Sequence, residues 1–141
     1  MPIYRSADED ATRRLGRDLG QALERPAVIL LRGELGAGKT VLAKGLAQGL
    51  GVEDPGQVRS PTFSLINVYP SPEGPVHHVD LYRLEGRRQQ YSTGLEEILA
   101  DPQAAVIIEW SEKLLLPVTP SLSIQITSQD DDTRLLEVTR P

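Results

Sequence analysis

The residues with the clearest chemical potential lie between Gly33 and Thr40. The run Gly33-Glu34-Leu35-Gly36-Ala37-Gly38-Lys39-Thr40 fits the phosphate-binding pattern G-x-x-x-x-G-K-[ST] at every fixed position. In such a loop, backbone N–H groups and the positive end of the following helix surround an anion. The sequence therefore predicts a loop that binds the phosphates of a nucleoside triphosphate.

Individual residues of this loop have distinct predicted roles. Gly36 and Gly38 lack a Cβ atom, so the backbone can wrap around a phosphate and adopt positive φ. Lys39 is expected to reach the β and γ phosphates, and the Thr40 hydroxyl to ligate Mg²⁺, which prefers oxygen ligands. The chain contains no N-K-x-D element for guanine recognition, which favours adenine as the base. The expected cofactors are therefore ATP, with ADP as its product, and Mg²⁺. The base-contacting residues stay unassigned; the start of the first helix, near Glu9 and Thr12, is a candidate.

Two acidic residues follow strand-like apolar runs and are candidate partners of the loop. Asp80 follows Val76 to Val79, and Glu109 follows Ala104 to Ile108. One acid would hold Mg²⁺ or its waters while the other orients the attacking water. The pattern alone does not assign these two roles, and a helix cap or a surface salt bridge is the alternative for each acid.

Other polar and aromatic residues give weaker signals. Thr62, in Ser60-Pro61-Thr62, lies where a switch segment would sense the γ phosphate; the alternative is a proline turn entering a strand. Trp110 is interpreted as a core residue or a stacking wall. His77 and His78 have no metal-ligand companions at useful spacing, so a histidine metal site is not expected.

The elements that must position these residues are predicted from periodicity. The apolar strand 27–32 leads into the loop, and a helix at 39–49 follows it. Ser6 as N-cap and Glu9 at N3 predict a helix over 7–23. The remaining predicted elements are a strand at 62–69 antiparallel to 76–80, a helix at 95–99 capped by Thr93, a buried strand at 104–108, and a terminal hairpin with Leu122, Ile124 and Ile126 before the turn 129–132 and Leu135 and Val138 after it.

Length and composition narrow the class of protein. A chain of 141 residues predicts one domain, 1–141. No apolar run approaches the ~20 residues that span a bilayer, and Met1 to Ser6 contain no export-type stretch, so a cytoplasmic protein is expected. The absence of cysteine excludes disulfides and thiolate metal sites. The net charge of −5 argues against direct binding of nucleic acid.

With these segments in order, the chain resembles the TsaE (YjeE) family, small P-loop ATPases of bacterial tRNA threonylcarbamoyladenosine modification. The blocks that carry the resemblance are Thr12-x-x-Leu15-Gly16, Gly33 to Thr40, Ser60-Pro61-Thr62-Phe63, His78-x-Asp80-Leu81-Tyr82-Arg83-Leu84 and Glu109-Trp110-Ser111-Glu112, with a weaker block from Gly94 to Leu99. The resemblance implies an α/β, P-loop NTPase-like three-layer domain with a mixed, mostly parallel sheet, antiparallel hairpins and flanking helices.

The resemblance also implies roles for site residues. Lys39 would grip phosphate, while Thr40 and Glu109 would handle magnesium. Thr62 would be the switch threonine, and Asp80 the acid essential for turnover. The implied nucleotide contacts are Gly33, Glu34, Leu35, Gly36, Ala37, Gly38, Lys39, Thr40, Val41 and Trp110. One departure is that the stretch from Glu85 to Ser92 is more basic than the acidic linker expected there.

The function implied by the resemblance is ATP hydrolysis in a larger complex. Such a protein works with the TsaB–TsaD pair, which transfers a threonylcarbamoyl group to adenosine 37 of tRNAs reading codons that begin with A. Its ATP cycle would reset that complex between rounds. It would meet tRNA only through the complex, and no membrane or DNA partner is expected. The alternatives are a small-molecule kinase and a nucleotide-gated adaptor without useful turnover.

Overall fold

The structure, a computed structural model, describes residues 2–34, 36–53, 66–82, 86–130 and 132–141. Within these ranges the chain forms seven strands, four α-helices and one short 3₁₀ turn. In chain order they are β1 (Ile3–Ser6), α1 (Glu9–Gln21), β2 (Ala27–Arg32), α2 (Lys39–Gly49), β3 (Ile66–Tyr69), β4 (Val76–Asp80), α3 (Gly86–Ser92), α4 (Leu95–Ala100), β5 (Ala105–Glu109), the 3₁₀ turn (Ser111–Lys113), β6 (Leu122–Ser128) and β7 (Arg134–Thr139).

The seven strands form one mixed sheet in the order β1-β7-β6-β2-β5-β4-β3. The four central strands, β6, β2, β5 and β4, are parallel to one another. Antiparallel pairs lie at both edges, with β3 on β4 and with β7 between β6 and β1. Since the central strands are parallel, their carboxyl termini all lie at the same end of the strands, where ligands of α/β proteins commonly bind.

Helices cover both faces of the sheet and create two apolar clusters. On one face, Leu42 and Leu46 of α2 and Leu19 of α1 pack against the central strands. On the other face, Leu95 of α4 packs with Ile108 and its neighbours. This three-layer arrangement confirms the predicted fold class. No helix in the described part of the chain is long and apolar enough to cross a membrane.

Helices α1 and α2 approach each other to backbone contact, which glycines on both helices permit. A Cβ atom added to Gly45 would lie 2.1 Å from the carbonyl oxygen of Arg13, and one added to Gly16 would lie 2.8 Å from that of Leu42. Gly20 and Gly49 meet the opposite helix in the same way. The missing side chains therefore set the spacing of the two helices.

Arg25 links the loops at the opposite end of the sheet, where the parallel strands begin. Its guanidinium donates to the carbonyl oxygens of Pro75, Gln103 and Leu50 and to the Ser71 hydroxyl, at 2.8 to 3.0 Å. The side chain is only 7% exposed. One cation thus satisfies carbonyl groups from three separate parts of the chain.

The start of α1 differs from the prediction. The N-cap is Asp8, whose side chain accepts a hydrogen bond from the Ala11 N–H at 2.8 Å. Ser6 instead ends β1, a strand that the sequence pattern did not predict, and pairs with Arg134 on β7. The pairing with a distant strand takes Ser6 into the sheet and leaves Asp8 to cap the helix.

Two later elements also differ. The polar stretch before α4 contains a helix, α3, and Thr93 does not cap α4, because its hydroxyl donates back to the Gln90 carbonyl and Gly94 is the N-cap. In β7 the buried residues are Leu136 and Val138, and Leu135 is half-buried. The terminal hairpin, α2, β2 and β4 are confirmed; residues 62–65 of the predicted strand lie outside the described residues.

Candidate functional site

A cavity of roughly 340 Å³ opens at the carboxyl ends of the parallel strands. Asp80 is the last residue of β4, Glu109 is the last residue of β5, and the phosphate-binding loop follows β2. The lining residues are Glu9, Thr12, Gly36, Gly38, Lys39, Thr40, Val41, Asp80, Tyr82, Glu109, Trp110, Asp132 and Arg134. The loop and both predicted acids thus share one cavity.

The loop has the backbone conformation that its glycines were expected to allow. Gly36 and Gly38 have φ of 79° and 99°, in the left-handed region that favours glycine. Gly38 is also the N-cap of α2, and among the described residues no side chain caps that helix. The first N–H groups of α2 are therefore available to an anion.

Lys39 lies at the base of the cavity and is 6% exposed. Its Nζ donates to the Gly33 carbonyl and lies 3.7 Å from the centroid of the Trp110 ring, a cation–π contact. Burial lowers the pKa of Lys39, while the negative charges of Glu109, Glu112 and Asp80 raise it and offset part of that shift. A bound polyanion would add a further negative charge next to this buried ammonium.

The two acids are neighbours across the sheet because the register of β4 and β5 places Asp80 directly beside Glu109. Asp80 Oδ1 accepts a hydrogen bond from the Tyr82 N–H at 2.9 Å, which closes the turn after β4. Glu109 is almost fully buried, at 3% exposure, and its Oε2 meets Nε2 of His78. Within one site, Asp80 is therefore the more exposed acid and Glu109 the more buried one.

The donor atoms of the cavity suit a hard cation. Thr40, Asp80 and Glu109 present oxygen atoms, which are the ligands that Mg²⁺ prefers. The described residues contain no group of three or more His, Asp or Glu side chains that could hold a metal by themselves. This combination fits Mg²⁺ held by few protein ligands together with nucleotide phosphates and water.

Trp110 occupies a strained backbone conformation beside the cavity. Its φ of 58° is the only positive φ of a non-glycine residue among those described, and such a conformation costs about 1–3 kcal/mol. The ring packs against Tyr82, with centroids 4.9 Å apart, and against Lys39. The next residue, Ser111, donates to the Leu31 carbonyl at 3.1 Å, which ties this turn to the end of β2.

Arg134 is a site residue that the sequence pattern did not identify. From the start of β7, its Nε donates to the Ala37 carbonyl at 2.9 Å, and a terminal nitrogen lies 3.4 Å from the Gly36 carbonyl. It therefore holds the phosphate loop from the side of the hairpin. Asp132 and Tyr82 were also not assigned to the site; only Tyr82 lies in a motif, the block that begins at His78.

The remaining predicted contacts divide into two groups. Gly33, Glu34 and Ala37 do not line the cavity; instead their carbonyl groups accept hydrogen bonds from Lys39, from the Ala37 N–H and from Arg134. They shape the loop. Leu35 and Thr62 lie outside the described residues.

Comparison with known proteins gives a consistent family. The family model described as threonylcarbamoyl adenosine biosynthesis protein TsaE matches residues 6–136. A tRNA threonylcarbamoyladenosine biosynthesis protein TsaE of Nostoc sp. is 40% identical over 94% of this chain and 82% of its own length. Its counterpart from Rickettsia bellii is 36% identical over 93% of this chain and 90% of its own length.

A crystal structure shows the same architecture. Bacillus subtilis YdiB superimposes with a TM-score of 0.70 and 28% identity, covering 99% of this chain and 84% of that one. The family model spans the loop, both acids and Arg134. The chain therefore belongs to the TsaE family of threonylcarbamoyl adenosine biosynthesis proteins.

Proposed function

We propose that this protein binds ATP with Mg²⁺ and hydrolyses it as a subunit of the machinery that makes threonylcarbamoyladenosine in tRNA. The observation that carries the proposal is the convergence of Lys39, Thr40, Asp80 and Glu109 on one cavity. A structural glycine turn would need neither a buried cation nor two neighbouring acids. The family relationship supports the pathway.

Each of these residues has a role that its environment supports. Lys39 and the amino end of α2 would hold the phosphates. Thr40 and Glu109 would hold Mg²⁺, which would screen the phosphate charge. Asp80 is the more open acid, so it is better placed to meet a water molecule and orient it toward the γ phosphate.

The finer expectations on partners follow from the family resemblance. The protein would act with the TsaB–TsaD pair and reset it between rounds of modification. It would meet tRNA only through that pair, since its net charge is −5. Hydrolysis would be slow in the isolated protein and accelerated by the complete set of TsaB, TsaD and tRNA.

Nucleotide binding can be measured through Trp110, the single tryptophan of the chain, because its ring lies in the cavity. Lys39→Ala should lose most of its affinity for ATP, since the variant lacks the cation at the base of the site. Lys44→Ala, which removes a lysine from the same helix outside the cavity, is the matched control. Equal ATP affinity in the Lys39 variant and the wild type would refute the assignment of the loop.

Asp80→Asn separates hydrolysis from nucleotide-gated assembly. The amide oxygen can still accept the hydrogen bond from the Tyr82 N–H, so the turn after β4 should stay intact. We expect the variant to bind ATP and assemble with TsaB–TsaD but to lose phosphate release and tRNA modification. Wild-type modification by a variant that no longer hydrolyses ATP would instead identify an adaptor without useful turnover.

A further inference from the structure

His78 is a fully buried polar residue that the proposed function does not use. It is 0% exposed and lies two residues before Asp80 on β4. Because side chains alternate along a strand, His78 and Asp80 share the face of the sheet toward the phosphate loop, whereas His77 points to the opposite face. The Nε2 atom of His78 meets the Glu109 carboxylate on the adjacent strand.

The direction of this hydrogen bond follows from the chemistry of the two groups. A carboxylate that ligates a cation is ionised and can only accept, so Nε2 of His78 must donate. Among the described residues, this is the sole hydrogen bond of the Glu109 side chain, and His78 Nδ1 has no partner there. His78 thus engages one of the two oxygens, Oε2, and leaves Oε1 for a ligand.

From this arrangement we infer that His78 is a positioning residue that holds Glu109 as a one-oxygen ligand and so makes the site selective for Mg²⁺ over Ca²⁺. Mg²⁺ requires near-octahedral geometry, whereas the larger Ca²⁺ readily takes both oxygens of one carboxylate. The donor on Oε2 opposes two-oxygen binding and fixes the orientation of the side chain. The inference rests on the proposed role of Glu109 as a magnesium ligand.

The test compares variants that keep or lose a donor at the position of Nε2. Glutamine can place its amide N–H near the position of that atom, whereas the shorter asparagine cannot. We expect His78→Asn to weaken Mg²⁺ binding roughly 10–100-fold, the usual effect of removing such a partner, while His78→Gln keeps most of the affinity. Ca²⁺ binding should change less in His78→Asn, so the preference for Mg²⁺ over Ca²⁺ should fall.

The readout is metal affinity, measured by titrating MgCl₂ or CaCl₂ into protein with a non-hydrolysable ATP analogue and following Trp110 fluorescence. His77→Asn is the matched control, because it makes the same change on the same strand but on the opposite face. His78→Leu, which keeps apolar packing, is measured in parallel, and thermal melting of every variant checks that β4 remains folded. The leucine variant should show the same loss as asparagine.

The outcomes separate this inference from the proposed function. Folded His78→Asn and His78→Leu variants with wild-type Mg²⁺ affinity and selectivity would overturn the inference alone. An equal loss in His77→Asn would also overturn it, because the effect would then belong to the strand. A wild-type protein whose nucleotide binding does not depend on Mg²⁺ would refute the proposed role of Glu109 itself.

Discussion

Replacing Gly45 by alanine tests whether the spacing of α1 and α2 is set by glycine. The new Cβ would lie 2.1 Å from the Arg13 carbonyl oxygen, and its other near neighbours are also backbone atoms of Arg13. No side chain can move aside. The helices must therefore separate by roughly 0.9 Å to reach the smallest distance that Cβ atoms tolerate, an overpacking that costs about 1–3 kcal/mol even in favourable cases.

The expected net effect combines two opposing terms. A separation of this size forfeits about a quarter to a half of the dispersion energy between the facing side chains. Alanine in mid-helix recovers up to ~1 kcal/mol of helix propensity. We expect Gly45→Ala to lower the free energy of unfolding by about 2 kcal/mol, because strain and lost packing together exceed the propensity gain. This loss corresponds to a fall in Tm of roughly 6–10 °C.

Urea unfolding followed by circular dichroism measures this effect, and the glycines of the two helices supply an internal scale. Gly16→Ala brings its Cβ to 2.8 Å from the Leu42 carbonyl, a smaller overlap, so it should cost less. Lys44→Ala, at a half-buried position beside Gly45, should change stability by about 0.5 kcal/mol or less. A Gly45→Ala protein at least as stable as the wild type would refute the reasoning.

Two further predictions concern residues away from the cavity. Arg25→Ala should lower the free energy of unfolding by about 2–4 kcal/mol, because it removes charged donors from several carbonyl groups. Arg17→Ala, at the surface, should leave the free energy of unfolding nearly unchanged, and urea unfolding of both variants measures the difference. Burial lowers the pKa of His77 in the folded protein below its ordinary value of 6.5, although the negative charge of Asp101 raises it in part. Below pH 6.5 the unfolded chain therefore binds more protons than the folded protein, and the free energy of unfolding falls as the pH drops. His77→Gln should therefore lose less stability than the wild type between pH values of about 7 and 5, and parallel pH profiles in urea titrations would contradict this.

The elements that local sequence describes well are those around the phosphate loop. The apolar run of β2 and the glycines that follow α2 give unambiguous boundaries, and the structure reproduces both elements. The position of Asp80 and Glu109 at strand ends also followed from pattern. Their closeness follows from the parallel register of β4 and β5, which is a consequence of fold class.

The features that could not be predicted depend on contacts between distant parts of the chain. β1 is a strand because it pairs with β7, and the residues around Ser6 contain no pattern that predicts this pairing. α3 lacks an apolar stripe: Gln90 is its sole buried residue and is held by the Lys113 carbonyl and the Leu115 N–H. Arg134 carries no motif, since its role exists only where the hairpin meets the loop.

Arg134 also has a consequence for how the protein is made. It donates to Ala37 from 97 positions later in the chain, and the ribosome adds residues in order at about 5–20 per second. The phosphate loop is thus synthesised several seconds before Arg134, whose guanidinium holds it by a hydrogen bond. A nascent chain stalled ahead of Arg134 would already carry the full glycine-lysine signature, yet it would lack that hydrogen bond.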